Sequence, residues 1–290
     1  MRVGGGRMAR YPTWATFVVV AALVIGCGPE KELPTDAPKV GGPVVVQQIV
    51  PQKSEPEAKA VVERAVKALT GGKPELFLKG KYCRCVMKGQ MFSIAQPDQQ
   101  NDANRTVTTV WPDRFFSANE WFAMGNRVLD EVWLRRPGLV IANNGVSVPI
   151  ANVELAERSL MTDFVGQNWM PLLLPAADPK AVLFDLQTVT LDRRDLRVLS
   201  LSLGEYPIYD LTFDATTNAL VRAEYTISQV GAPRRTMVVF SDHKPGPDGF
   251  VLPHRIECRH NGNVVEKLTV EKWELPATIP DDEFSPPRKK

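Results

Sequence analysis

Phe250-Val251-Leu252-Pro253-His254-Arg255-Ile256-Glu257-Cys258 is the stretch whose reading decides the fold. Phe250, Leu252, His254, Ile256 and Cys258 fall on one side of an extended chain; Val251, Pro253, Arg255 and Glu257 fall on the other. A period of two with one mostly apolar side describes a strand in a sheet that has one dry and one wet face. Working outward, the same period marks strands near 79–88, 90–96, 105–111, 127–134 and 139–143. It resumes near 182–190, 196–203, 208–213, 220–228, 236–240 and 264–273. Asn143-Asn144-Gly145, Lys244 to Gly249, and Asn261-Gly262-Asn263 supply turns between them. Many short strands at regular spacing predict a mainly β (α+β) chain whose antiparallel sheet curls on itself.

Composition agrees. The chain has 290 residues, 44% hydrophobic and 23% charged, which excludes disordered, collagen-like and multi-span membrane classes. Its 24 prolines and 20 glycines argue against a helical bundle, and a formal charge of +2 argues against a nucleic-acid partner.

Two helices interrupt the strands. Ser54 and Glu57 are spaced as a capping box, Pro56 suits a first turn, and Gly71-Gly72 forms a stop. Between them Ala58, Val61, Val62, Ala65, Val66 and Leu69 draw one apolar stripe, with Glu57, Lys59, Glu63, Arg64 and Lys67 on a solvated face. The second helix is expected from about Val153 to Gln167, capped by Asn152. The proline-bounded apolar loop from Trp169 to Pro175 follows it. This insertion reads either as a plug in one end of the sheet or as a hinged lid over an apolar cavity.

The N-terminus reads as an address. Arg2, Arg7 and Arg10 precede an uncharged run from Trp14 to Ile25, too short to span a bilayer. Val24-Ile25-Gly26-Cys27 resembles the lipobox of bacterial lipoproteins, which implies lipidation of Cys27 and a membrane anchor of several acyl chains. Removing residues 1–26 takes three arginines and no acid, so the formal charge falls from +2 to −1. Residues 27–53, with Pro29, Pro34, Pro38, Pro43, Pro51 and Gly41-Gly42, form a Pro/Gly-rich tether. Residues 54–287 remain as one domain. Gly28 and Pro29 stand where inner-membrane lipoproteins often carry aspartate, which favours a periplasm-facing outer-membrane location.

The C-terminal third carries a resemblance. Tyr209 to Asp214, Leu220 to Ala223 and Val238 to Lys244 lead into Gly249-Phe250-Val251-Leu252-Pro253-His254-Arg255-Ile256, and Ile279 to Phe284 closes the series. This order resembles the LolA/LolB-like outer-membrane lipoprotein-sorting and related carrier domains. The resemblance implies a half-barrel with helices over a concave apolar face that holds acyl chains or a lipidated protein, in lipoprotein or lipid trafficking. Phe115, Trp121, Trp133, Phe164, Trp169, Phe213 and Phe240 then become candidate cavity liners. Leu160, Met161, Leu172 and Leu173 become candidate residues of the lid. The implied protein is a monomeric binding module with no catalytic residues, no cofactor and no metal. Its alternative is an envelope scaffold or sensor that uses the same fold for protein contacts.

Little else suggests chemistry. His243, His254 and His260 come with no nucleophile elbow, phosphate loop or H-E-x-x-H helix. Asn104-Arg105-Thr106 matches a glycosylation sequon, read as chance. Cys83 and Cys85 share one strand face and Cys258 sits on another strand. The readings are a metal site with His254, a disulfide from Cys258 to Cys83 or Cys85, and buried free thiols.

Overall fold

Thirteen strands form a single antiparallel sheet in the computed structural model, which describes residues 50–92, 99–123, 126–228 and 232–287. The expected signal peptide, Cys27 and nearly all of the tether lie outside the described residues. In chain order the strands are β1 (Tyr82–Phe92), β2 (Gln100–Val110), β3 (Arg114–Ala123), β4 (Asn126–Arg135), β5 (Leu139–Asn143) and β6 (Val146–Ser147). They continue as β7 (Val182–Leu191), β8 (Arg194–Ser202), β9 (Tyr209–Asp214), β10 (Leu220–Ile227), β11 (Arg234–Pro245), β12 (Val251–His260) and β13 (Asn263–Glu274). The spatial order runs from β6 back to β1, then through β13 down to β7. Two meanders are therefore sewn together by β1 and β13, with Cys85 opposite Trp273 and Lys88 opposite Thr269.

That order makes β6 and β7 the two edges of the sheet. The chain between them must travel from edge to edge, and it does so across the concave face. Helix α2 (Val153–Phe164) begins this crossing, with the Asn152 side chain accepting the Leu155 N–H at 3.0 Å as its cap. A π-turn over Val165–Trp169 and a 3-10 turn over Met170–Leu172 complete it. Trp169, Met170 and Leu172 are fully buried in a core shared with Leu199, Leu211, Phe213, Phe240 and Leu252 of the sheet.

Polar ties hold the crossing down. The Tyr209 hydroxyl donates to the Thr162 carbonyl at 3.0 Å, and the Tyr225 hydroxyl donates to Asp163 at 2.8 Å. Arg234 pairs with the other oxygen of Asp163 at 2.5 Å. At the start of the helix, Arg136 donates to Glu157 at 2.7 Å and to Glu205 at 2.8 Å.

Helix α1 (Pro56–Leu69) carries the predicted stripe, burying Ala58, Val61, Val62, Ala65 and Leu69. Its predicted capping box is not formed. Glu55 occupies the cap position, while the Ser54 hydroxyl donates to the Ala181 carbonyl at 3.2 Å and accepts the Leu183 N–H at 3.0 Å. Ser54 thus anchors the domain's first turn to β7 instead of to its own helix.

Other strand expectations need adjusting. From Tyr82 to Phe92 the two expected segments are one strand, β1, preceded by a 3-10 turn over Pro74–Lys81, while residues 93–96 lie outside the described residues. β3 is an addition the alternation did not announce, because both its faces carry aromatics. Phe115 faces the crossing and stacks on Phe164. Phe116 faces the convex side, where Val110, Ile279 and Phe284 cover it and Asp281 binds Arg114 and Arg135. The C-terminal Ile279 to Phe284 segment is therefore a clasp on the outer face.

Gly166 is the closest approach between crossing and sheet. A Cβ there would lie 2.3 Å from Cε1 of Tyr225, so only glycine lets the π-turn settle. Gly166→Ala is expected to lower the urea midpoint, destabilising the fold by about 1–3 kcal/mol. An unchanged midpoint would mean that the crossing can retreat from the sheet at no cost.

Candidate functional site

The sequence-derived liners do not assemble into one open cavity. Phe115, Met161, Phe164, Trp169, Leu172, Phe213 and Phe240 are packed together as core, with Leu160 against its margin. Trp121 belongs to a separate small cluster with Met91 and Ala103, and its indole N–H donates to Asp130 at 2.9 Å. Trp133 pairs with Phe116 across β3 and β4, so it lies on the convex side. Of these residues, Leu173 lines the groove at the end of α1.

This groove, of about 680 Å³, lies at the C-terminal end of α1. Its floor is apolar: Leu69 from α1, Pro171 and Leu173 from the crossing, Leu220 from β10, and Val251 and Pro253 from β12. Leu173 reaches this position through a left-handed backbone, φ +57°, closing its turn with an N–H bond to the Met170 carbonyl at 2.8 Å. A buried leucine in that conformation is uncommon and carries strain. Gly71 shapes the opposite wall. A Cβ there would meet the Gly249 carbonyl oxygen at 2.5 Å, so glycine lets α1 end against the loop before β12.

The rim is basic. Arg64, Lys67 and Arg194 border the groove, and among the described residues no aspartate or glutamate does. Arg194 is matched by Asp214 at 2.5 Å. Burial would raise the Asp214 carboxyl, but the Thr217 and Thr216 amides, the Thr217 hydroxyl and Arg194 outweigh it and hold the pKa at about 2. The same bonds fold the β9–β10 turn that forms one wall through Thr217, Asn218 and Ala219. His243 also borders the groove, and burial depresses its pKa, so it faces the space as a neutral ring.

A second polar group lies inside the sheet and is structural in character. Arg105 reaches Glu266 through two nitrogens, one at 2.9 Å, and also donates to Asn119. This places the sequon's middle residue indoors. The Cys258 sulfur lies 3.9 Å from the Gln167 amide nitrogen, and both ring nitrogens of His260 are buried without a partner among the described residues. Burial pushes all three thiols well up, away from nucleophilic chemistry.

The expected disulfide is not formed: Cys83, Cys85 and Cys258 are free and buried. The topology explains it. β13 lies between β1 and β12, so two strand spacings of about 4.8 Å each separate the cysteines, beyond a disulfide's reach. The registers also disagree, since Cys85 sits opposite Trp273 and Cys258 sits opposite Glu266. His254 bonds to the Leu252 carbonyl at 3.0 Å. Among the described residues no group of three or more His, Cys, Asp or Glu stands ready to hold a metal.

The shape of the chain has a counterpart among solved structures. A LolA-superfamily protein of Nitrosomonas europaea superposes with a TM-score of 0.52 at 16% identity, covering 79% of this chain and 97% of that one. The fold is LolA-like. A domain named for outer-membrane lipoprotein sorting, from Vibrio parahaemolyticus, is a looser likeness: TM-score 0.44, 10% identity, 78% and 97% covered. No family model matches the chain. No curated protein matches it. Among the described residues no helix is long and apolar enough to cross a membrane.

In the sequence Arg64 and Lys67 read as plain solvated surface, and Asp214 is not among the candidate residues. The missed signal for the last was the sequence Asp214-Ala215-Thr216-Thr217-Asn218, an aspartate poised to cap its own turn. Because the Asp214 pKa is depressed when folded, its stabilisation is complete above the unfolded value and disappears as pH falls through the folded one. Asp214→Asn is expected to cost about 2 kcal/mol at pH 7, with the gap to the parent protein closing between about pH 4 and about pH 2. Urea midpoints measured across that range check it; a gap that stays constant with pH would exclude the carboxylate as the source.

Proposed function

We propose that this chain is a lipid-anchored envelope protein that holds one acyl chain in the groove at the end of α1. Cys27 is its lipidation site, residues 27–53 its tether, and residues 54–287 a single monomeric binding domain facing the periplasm, anchored to the outer membrane. The observation that carries the reading is the groove itself: about 680 Å³ floored by Leu69, Pro171, Leu173, Leu220, Val251 and Pro253. Its volume falls within the range of single small-molecule sites. Apolar burial is non-directional, so the site requires no acid, base or nucleophile, and the protein acts as a binder and not as an enzyme.

Magnitude sets what such a site can do. Burying about a dozen methylenes at about 0.8 kcal/mol each offers roughly 10 kcal/mol. Association costs of about 4–15 kcal/mol consume much of that, so a tail alone binds weakly and reversibly. Reversible holding suits a protein that passes an acyl chain on.

A second reading, a scaffold or sensor that carries no ligand, is favoured by a specific observation. The middle of the concave face is filled by Trp169, Met170 and Leu172 at 0% exposure. Native mass spectrometry of protein purified without detergent separates the two. Co-purifying lipid, and uptake of a fluorescent fatty acid that is lost in Leu173→Asp, are expected. An empty protein that takes up no fatty acid would leave the scaffold reading.

A further inference from the structure

We infer that the occupant of the groove is a single-chain amphiphile with an anionic head, received by Arg64 and Lys67. This rests on the acyl-chain reading and adds the chemistry of the head to it. Arg64 and Lys67 stand three residues apart on one face of α1, both exposed at the mouth of an apolar floor. Neither has an ion-pair partner among the described residues, whereas Arg194, the third cation of the rim, is matched by Asp214.

With no acid on the lining and His243 neutral, the mouth carries two uncompensated positive charges above an apolar floor. Two like charges so close repel each other, and an anion between them relieves the repulsion while gaining charge-assisted bonds. Arginine offers a planar fork suited to carboxylate or phosphate, and lysine offers a point charge beside it. A cationic or neutral head would leave this pair unsatisfied. The groove's size fits one tail, not the several acyl chains of a lipidated protein.

The head is a carboxylate or a phosphate monoester; both share this chemistry, and the test separates them. The purified, delipidated protein is titrated calorimetrically with dodecanoate, dodecyl phosphate and dodecanol, each below its micellar concentration. At least one of the two anionic amphiphiles is expected to bind about tenfold or more tightly than dodecanol, with the preference shrinking as salt rises. The tighter anion names the head. In the double variant Arg64→Gln/Lys67→Gln the anionic probes should fall to the dodecanol affinity while dodecanol itself is unmoved, at an unchanged urea midpoint.

Equal binding of dodecanol and both anions overturns the inference and leaves the acyl-chain reading standing. A preference that survives in the double variant overturns the role of Arg64 and Lys67. Binding by none of the three probes overturns the acyl-chain reading together with the inference.

Discussion

The two edge strands, β6 and β7, are consecutive in the chain yet at opposite ends of a thirteen-stranded sheet. Everything between them must cross the concave face, and the rest of the structure depends on how that crossing is satisfied. A crossing in water would leave the sheet's apolar face bare; a crossing packed against it must find partners for its own backbone. The solution is α2 followed by two tight turns, so most amides bond locally while Trp169, Met170 and Leu172 face the sheet. Tyr209, Tyr225 and Arg234 then reach up from the strands to Thr162 and Asp163. Such ties are worth most where they are buried, because breaking one leaves a charged or polar group unpaired.

A filled concave face has a consequence for binding. The crossing occupies the middle of the sheet's inner surface, and the groove lies where the crossing stops covering it. That happens beyond Leu173, where the chain turns through a left-handed residue before running on to β7. Helix α1 closes the other side. The groove thus lies beside the two covers, and its floor shares Leu69, Leu173 and Leu220 with the core.

Strand periodicity, the α1 stripe and the Asn152 cap were legible because each depends on one neighbouring layer and repeats at its own period. β3 was not, since Phe115 under the crossing and Phe116 under the Ile279 to Phe284 clasp put adjacent buried aromatics on its two faces, and alternation disappears where both sides are covered. Ser54 misled for a related reason: a capping pattern describes what a side chain can bond locally, and a strand edge 129 residues away offered it two better partners. The cysteines looked pairable because strand face is visible in a sequence whereas sheet order is not. Only the placement of β13 between β1 and β12 shows them to be too far apart.

The candidate site was the least legible part, because its charge carries meaning only in three dimensions. Along the chain Arg64 and Lys67 belong to a solvated helix face like any other, and Arg194 is one more cation at the start of β8. The fold brings them around one opening and neutralises only one of them. Asp214 is spent on Arg194 and on its own turn, and its low pKa records how completely those donors occupy it. A near-neutral chain can therefore present a locally cationic mouth over an apolar floor. Charge and apolar surface thus meet at one opening although neither is adjacent to the other along most of the chain.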